Sequence, residues 1–189
     1  MVINILYIYD INNVINNVND IIHASNNFNI DNYNDISYLY CVNHNLTNLA
    51  NLPKLPNNLK YLECYSNKLI ELPILPNCLI KLNCSDNCIK KLPILQDYLE
   101  LLICSYNELI HLPALPNSLN YLFSYYNELI YLPILPNKLI ELHCFNNKLI
   151  ILSKINKYFC YIDCDKNIKY INKHNENNIQ IKIYNYLMF

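Results

Sequence analysis

The chain contains no glycine, no tryptophan and no arginine among its 189 residues. The lack of arginine and a formal net charge of −1 argue against nucleic acid as a main partner, because neutralising phosphates requires clustered basic side chains. No apolar run approaches the roughly 18 residues of a membrane-spanning helix, and the amino terminus lacks the basic start of a signal peptide. We therefore expect a soluble protein of the cytoplasm that binds neither nucleic acid nor membrane.

An asparagine recurs every twenty residues in one fixed sequence frame. The six positions are Asn67, Asn87, Asn107, Asn127, Asn147 and Asn167. One unit runs from Leu59 to Cys78 and carries leucines and a cysteine at the same places as its neighbours. A fixed period near twenty residues indicates stacked units, each of which contacts mainly the next.

Each unit divides into a short strand and a proline-containing return segment. Leu62 and Cys64 alternate with Tyr61, Glu63 and Tyr65, which predicts a strand with its leucine face inward. In the Leu-Pro-x-Leu-Pro return segment, residues 72–76, proline removes backbone donors and disfavours a helix. The sequence therefore predicts a solenoid with a parallel sheet on its concave face and an extended, polyproline-like convex side.

This LxxLxCxxNxLxxLPxLPxxL pattern resembles leucine-rich repeats, especially the short repeats of effector proteins from bacterial pathogens. The resemblance implies that the six asparagines form a structural ladder by hydrogen bonding to the backbone of adjoining units. His44 replaces the asparagine in the first unit, and Gln96-Asp97 replaces Pro-Asn in another. The bias toward Asn, Ile, Lys and Tyr is also similar to repeat proteins of giant DNA viruses and AT-rich protists. That likeness predicts such a source and, for a viral protein, the host cytoplasm.

The repeats, about seven units, occupy residues 36–172 and are flanked by two different ends. Residues 1–35 carry an amphipathic helix over about 11–23, which we expect to cap the first unit. In the last unit the pattern slips by one residue, at Ile168 and Ile171. Residues 173–189 contain the alternation Ile179, Ile181, Ile183, which predicts a strand that caps the far end.

Five of the nine cysteines share one position in the repeat. They are Cys64, Cys84, Cys104, Cys144 and Cys164. This spacing favours a core ladder of reduced thiols, because buried free cysteine acts as a small hydrophobe. Disulfides fit an odd count poorly, and Cys84 and Cys88 lack a second Cys/His pair at zinc-ligand spacing. We expect no metal and no cofactor.

The outward strand positions are rich in aromatic side chains. The candidate partner-binding residues are Tyr38, Tyr40, Tyr61, Tyr65, Tyr121, Phe123, Tyr125, Tyr126, His143 and Phe145. Exposed aromatic clusters are typical of protein interfaces. Tyrosine is also a codon-favoured strand former in such a composition, so selection and codon bias both remain open explanations.

The sequence carries no glycine-rich phosphate loop, no HExxH and no nucleophile elbow. His143 lies near Glu141 and Asp163, but no nucleophile accompanies them, so we assign no catalytic residue. The leading hypothesis is a non-catalytic, monomeric protein-interaction module that binds a protein partner on its concave face. The alternatives are a ubiquitin-ligase substrate adaptor that docks through residues 1–35 and a structural or virion component.

Overall fold

The structure is a computed structural model that describes residues 4–7, 34, 36–42, 54–152, 161–165, 168, 170–171 and 180–184. Across these residues nine strands form one sheet, in the order β1-β2-β3-β4-β5-β6-β7-β9-β11, and β8 pairs with β10 in a second sheet. The strands are β1 (Asn4–Tyr7), β2 (Ile36–Tyr40), β3 (Tyr61–Glu63), β4 (Lys81–Asn83), β5 (Leu101–Ile103), β6 (Tyr121–Phe123), β7 (Glu141–His143), β8 (Ile151–Leu152), β9 (Tyr161–Asp165), β10 (Tyr170–Ile171) and β11 (Gln180–Tyr184).

The repeat period sets the register of the large sheet. β4 and β5 pair in parallel with Leu82 opposite Leu102, and Leu102 in turn lies opposite Leu122. All three leucines have no exposed surface, since each is the inward residue of a three-residue strand. Equivalent leucines thus stack into a continuous core strip, and the predicted leucine-rich repeat solenoid with a parallel sheet is confirmed.

The return segments are extended, as the prolines predict. Between β3 and β4 there is neither helix nor strand, and the chain turns where the Leu79 amide donates to the Pro76 carbonyl at 3.1 Å. Leu72 and Leu75 point into the core at 8% and 2% exposure, whereas Ile74 is 85% exposed. The convex side therefore closes the core with two leucines per unit.

The residue before each ladder asparagine from Asn67 to Asn147 adopts a left-handed backbone conformation. Its φ angle is 53° to 57° at Ser66, Asp86, Tyr106, Tyr126 and Asn146. Glycine would ordinarily occupy such a position, and other residues cost about 1–2 kcal/mol there, less for Asn or Asp. Bonds between units offset this strain: the Tyr106 amide donates to the Tyr125 carbonyl at 3.0 Å. The asparagine pattern indicates a turn here, but its left-handed backbone could not be predicted, because the chain has no glycine to mark it.

The amino-terminal end adds a strand that the sequence analysis did not assign. β1 pairs in parallel with β2, with Leu6 opposite Leu39 and a register irregularity between Asn4 and Ile5. Four residues are too short to show a reliable period. The predicted capping helix at about 11–23 lies outside the described residues, so capping by this segment stays a prediction.

The carboxy-terminal end contains the strand that its alternation predicts. β11 pairs in parallel with β9, with Ile181 opposite Ile162. In the second sheet Leu152 lies opposite Ile171, nineteen residues on, whereas Leu142 lies opposite Ile162, twenty residues on. The one-residue slip in the sequence is thus a real change of register on the return side.

Asp165 completes the turn of the last regular unit. Its Oδ1 accepts the Asn146 amide at 2.8 Å, and its Oδ2 accepts the Asn147 amide at 3.1 Å. One unit earlier, the Tyr126 and Asn127 amides donate instead to backbone carbonyls of the following unit, at 3.1 and 3.2 Å. A carboxylate therefore replaces two carbonyls where the repeat pattern degenerates.

Candidate interaction surface on the concave face

The turn asparagines connect neighbouring units by hydrogen bonds. Asn107 donates from Nδ2 to the carbonyls of Cys84, at 3.0 Å, and Cys104, at 3.2 Å. Its Oδ1 accepts the Ile89 amide at 2.9 Å. The same Nδ2 contacts recur at Asn67, Asn87, Asn127 and Asn147. Each side chain satisfies backbone groups that the turn would otherwise bury unpaired. His44 and Asn167 lie outside the described residues.

The cysteines of the repeat are core residues. Cys41, Cys64, Cys84, Cys104, Cys144 and Cys164 are at most 1% exposed. Burial raises the pKa of Cys84 to about 12 and that of Cys164 to about 11, so both stay protonated at neutral pH. Protonated, buried thiols are poor nucleophiles and poor metal ligands. Ser124 fills the same position and is also fully buried.

Two further cysteines lie nearer the surface. Cys78 and Cys88 are partly buried, and all eight cysteines in the described ranges are free thiols. Cys78 donates from Sγ to the Asn57 carbonyl at 2.9 Å. No group of three or more His, Cys, Asp or Glu side chains within those ranges is placed to hold a metal ion.

Four rings from three adjacent units meet on the concave side and form what we call the central aromatic cluster. Its members are Tyr106, Tyr125, Tyr126 and Phe145. Tyr125 and Phe145 stack with centroids 4.8 Å apart and planes at 4°. Tyr106 and Tyr126 stack at 4.5 Å and 10°, and Tyr126 meets Phe145 edge to face at 5.6 Å. The rings thus form one contiguous, pre-packed assembly.

Two members of this cluster differ from what the sequence indicated. Phe145 is only 8% exposed, because Tyr125 and Tyr126 cover it, so it supports the surface rather than forming it. Tyr106 was missed, although it is 48% exposed. The signal was present in the sequence, since Tyr106 and Tyr126 are one period apart, just before ladder asparagines.

A second row of rings runs beside the cluster. Phe123 stacks on His143 at 4.6 Å, and His143 contacts Tyr161 at 5.0 Å. His143 is fixed by two carboxylates, with Nε2 2.7 Å from Glu141 Oε1 and Nδ1 3.3 Å from Asp163 Oδ2. This arrangement orients the imidazole as a support for Phe123 and Tyr161.

The remaining candidate tyrosines lie at the amino-terminal end of the sheet. Tyr38 and Tyr61 stack with centroids 5.6 Å apart. Tyr40 and Tyr65 meet edge to face at 6.2 Å, with their hydroxyl oxygens 3.0 Å apart. The hydrogen bond to Tyr65 raises the pKa of Tyr40. The ten candidate residues therefore divide into two aromatic regions, one near the amino-terminal end of the sheet and one around β6 and β7.

Two polar side chains at outward strand positions are less exposed than such positions suggest. Glu63 is 4% exposed and Asp163 is 2% exposed, because neighbouring strands lie only about 4.8 Å apart and their long side chains cover each other. Glu63 Oε1 lies 2.7 Å from Lys81 Nζ. Tyr121, by contrast, is 37% exposed and presents its ring on the first outward column.

A groove of about 390 Å³ opens beside the central aromatic cluster, along the turns. The groove is lined by two tyrosines, Tyr106 and Tyr126, by two glutamates, Glu108 and Glu128, and by four asparagines.

The described part of the chain has no helix with the length and apolar character needed to cross a bilayer.

No protein-family model matches the chain, and no curated protein matches it. Its fold is similar to that of YopM from Yersinia enterocolitica WA-314, with a TM-score of 0.67 and 31% identity, over 82% of this chain and 36% of that one. It is also similar to a Shigella effector LRR domain, with a TM-score of 0.66 and 36% identity, over 70% and 60% of the two chains.

A third similar structure is YopM, a leucine-rich effector protein from Yersinia pestis, with a TM-score of 0.62 and 31% identity, over 70% of this chain and 38% of that one. The chain thus spans between 36% and 60% of the length of the three structures. The register, the core and these likenesses agree, and the chain has a leucine-rich repeat fold similar to that of these effectors.

Proposed function

We propose that the chain is a non-catalytic module that binds a protein partner on its aromatic-rich concave face. The observation that carries this proposal is the central aromatic cluster, in which Tyr106, Tyr125 and Tyr126 are held by stacking before any partner arrives. Tyrosines presented in this way offer apolar area and hydroxyl groups with little further loss of side-chain entropy. Such residues dominate the energetics of many protein interfaces.

The rigid frame beneath the cluster supports the same conclusion. The ladder asparagines hydrogen-bond to the backbone of adjoining units, and the leucine strip buries Leu122 and Leu142 completely. Together they fix the spacing of the rings. A partner would therefore meet a surface whose shape is set in advance, which lowers the free-energy cost of association.

The charges of the concave face favour a protein over a nucleic acid. Glu141 and Asp163 hold His143, and Asp165 holds two backbone amides. A polyanion would meet these carboxylates without a cluster of basic side chains to neutralise its phosphates. The protonated core thiols fit a reducing cytoplasm, which for a viral protein would be that of its host. We propose that the chain acts there as a monomer. The likeness to leucine-rich effectors is a further support for an interaction role.

Affinity purification of the full chain from its native cell tests the proposal. We expect a specific protein that is retained by the wild type and lost by the variant Tyr121→Ala/Tyr125→Ala. The return-face variant Glu71→Ala/Tyr131→Ala is the matched control, since it also truncates two side chains, one of which is a tyrosine. Recovery of a ligase subunit or of capsid proteins would support the adaptor or the virion alternative instead. Equal recovery of all partners by both variants would contradict a concave binding site.

A further inference from the structure

We propose that the groove lined by Tyr106, Tyr126, Glu108 and Glu128 binds an arginine side chain of the partner. The inference rests on the proposed function, because the groove opens next to the central aromatic cluster and shares Tyr106 and Tyr126 with it. It names the chemistry of one contact that a protein bound to the concave face would make.

The aromatic wall of the groove suits a planar cation. Tyr106 and Tyr126 stack at 4.5 Å with their planes 10° apart, so they form one double-layered platform. Tyr106 remains 48% exposed, which leaves ring surface open to a ligand. A guanidinium stacks on such a ring and is attracted by its negative face.

The charged wall of the groove has the complementary sign. Glu108 and Glu128 line it on consecutive units, and a guanidinium presents donors in the fork that carboxylates accept. A third carboxylate, Asp86, lies near the platform. Burial raises the pKa of Tyr106, with further contributions from Tyr126, Tyr125 and the negative charge of Asp86. A cation in the groove would be stabilised by the same field.

Two lysines already lie near these glutamates, and a ligand can displace them. Lys90 Nζ is 3.6 Å from Glu108 Oε2, and the two side chains are 74% and 51% exposed. Lys148 pairs with Glu128, and these side chains are 65% and 49% exposed. Ion pairs between solvent-exposed side chains contribute little. An arginine would gain the ring contact in addition to the charge.

The combination of rings and carboxylates is confined to two neighbouring units. At the platform position the other units described carry Ser66, Asp86 and Asn146, and at the glutamate position they carry Lys68, Cys88 and Lys148. Among the described units, only those of Tyr106 and Tyr126 combine an aromatic ring at the platform position with a glutamate at the glutamate position. The groove is therefore a local feature and not a general property of the repeat.

A titration with small probes tests the inference on the full chain. The probes are acetyl-arginine-methylamide, its lysine analogue and its neutral citrulline analogue, which has nearly the shape of the arginine compound. The readout is the NMR signals of ¹³C-labelled tyrosine rings, assigned with Tyr106→Phe and Tyr126→Phe. We expect arginine to shift the Tyr106 and Tyr126 signals with a dissociation constant in the millimolar range, at least about fivefold tighter than citrulline and tighter than lysine.

The variant Glu108→Gln/Glu128→Gln should weaken arginine binding by about fivefold or more, because it removes the charge but keeps the shape. Glu71→Gln, an exposed glutamate of the return face, is the control and should change nothing. Absence of arginine-induced shifts, equal affinity for arginine and citrulline, or insensitivity to the glutamate variant would overturn the inference. None of these outcomes bears on the pull-down with the Tyr121 and Tyr125 variant, so the proposed function is tested separately.

Discussion

Tyr125 and Phe145 lie face to face, with ring centroids 4.8 Å apart and planes at 4°. They occupy the same position in consecutive repeats, so the parallel register itself brings them together. Any two aromatic residues one period apart at this position would be expected to stack in this fold. The central aromatic cluster is therefore a direct product of the repeat, extended at the turn by Tyr106 and Tyr126.

The asparagine ladder should stabilise the stack. Replacing Asn107 by Ala removes the acceptor of the Ile89 amide and the donor to the Cys84 and Cys104 carbonyls. We expect a loss of about 1–3 kcal/mol in the free energy of unfolding, measured by urea denaturation. Asn120→Ala, at a half-buried position outside the ladder, should stay within about 0.5 kcal/mol of the wild type. Equal losses in the free energy of unfolding for the two variants would show that the ladder asparagines do not stabilise the stack more than other asparagines do.

The left-handed turns offer a route to a more stable protein. Ser66 has a φ of 54°, and asparagine tolerates this conformation better than serine. Ser66→Asn should therefore stabilise the fold by up to about 1 kcal/mol, seen as a higher melting temperature. Asp86→Asn is the control, because Asp86 has the same φ and already suits it. A Ser66→Asn protein that melts at or below the wild-type temperature would argue against strain at this turn.

The core thiols should make the protein sensitive to alkali. The pKa of Cys84 rises from 9.0 to about 12 on burial. The contribution of its protonated form is fully present below pH 9, where folded and unfolded states both hold the proton. Above that pH the unfolded state loses the proton first, so stability falls by up to about 1.4 kcal/mol per pH unit for this thiol. The fall continues until the folded thiol itself ionises.

Urea denaturation across this alkaline window checks the sign and the slope. Cys84→Ser is the matched variant, because Ser124 already occupies the equivalent buried position and serine does not titrate there. The wild type should lose stability more steeply with rising pH than the variant. Parallel pH profiles for the two proteins would mean that Cys84 is not buried in the folded state.

Alkylation should divide the cysteines by position. Cys78 and Cys88 are partly buried, whereas the ladder thiols are buried. Mass spectrometry after brief native alkylation should therefore show modification at these two before the ladder thiols. After denaturation without reductant, all nine cysteines of the chain should react. Two or more disulfides in protein from a reducing cytosol would contradict the thiol ladder.

The period of the sequence was sufficient to predict the repeat architecture. Recurring residues such as Leu82 and Leu102 define both the strand and its partner, so the register follows from spacing alone. Ile171 lies one residue before its expected place in the repeat, which likewise predicted a change of register. The structure shows this change as the pairing of Ile171 with Leu152. These features are properties of the pattern, and a pattern can be read without coordinates.

The details of the concave face depend on side-chain packing and could not be predicted in the same way. The covering of Phe145 and Glu63 follows from the conformations of neighbouring side chains, which spacing does not determine. The left-handed turn at Tyr106 contains no glycine that would indicate it in the sequence. The strand β1 is too short to show a period. The sequence therefore indicated where the aromatic surface lies. The groove beside it and the exposure of each ring could be described only from the structure.

The most direct test of the central claim is a calorimetric titration of a purified partner with two double variants. Tyr121→Ala/Tyr125→Ala should fold, as judged by its melting curve, and bind at least about thirtyfold more weakly than wild type, which corresponds to about 2 kcal/mol. Glu71→Ala/Tyr131→Ala should bind with wild-type affinity. If the return-face pair abolishes binding while the concave pair leaves it unchanged, the concave face is not the binding site.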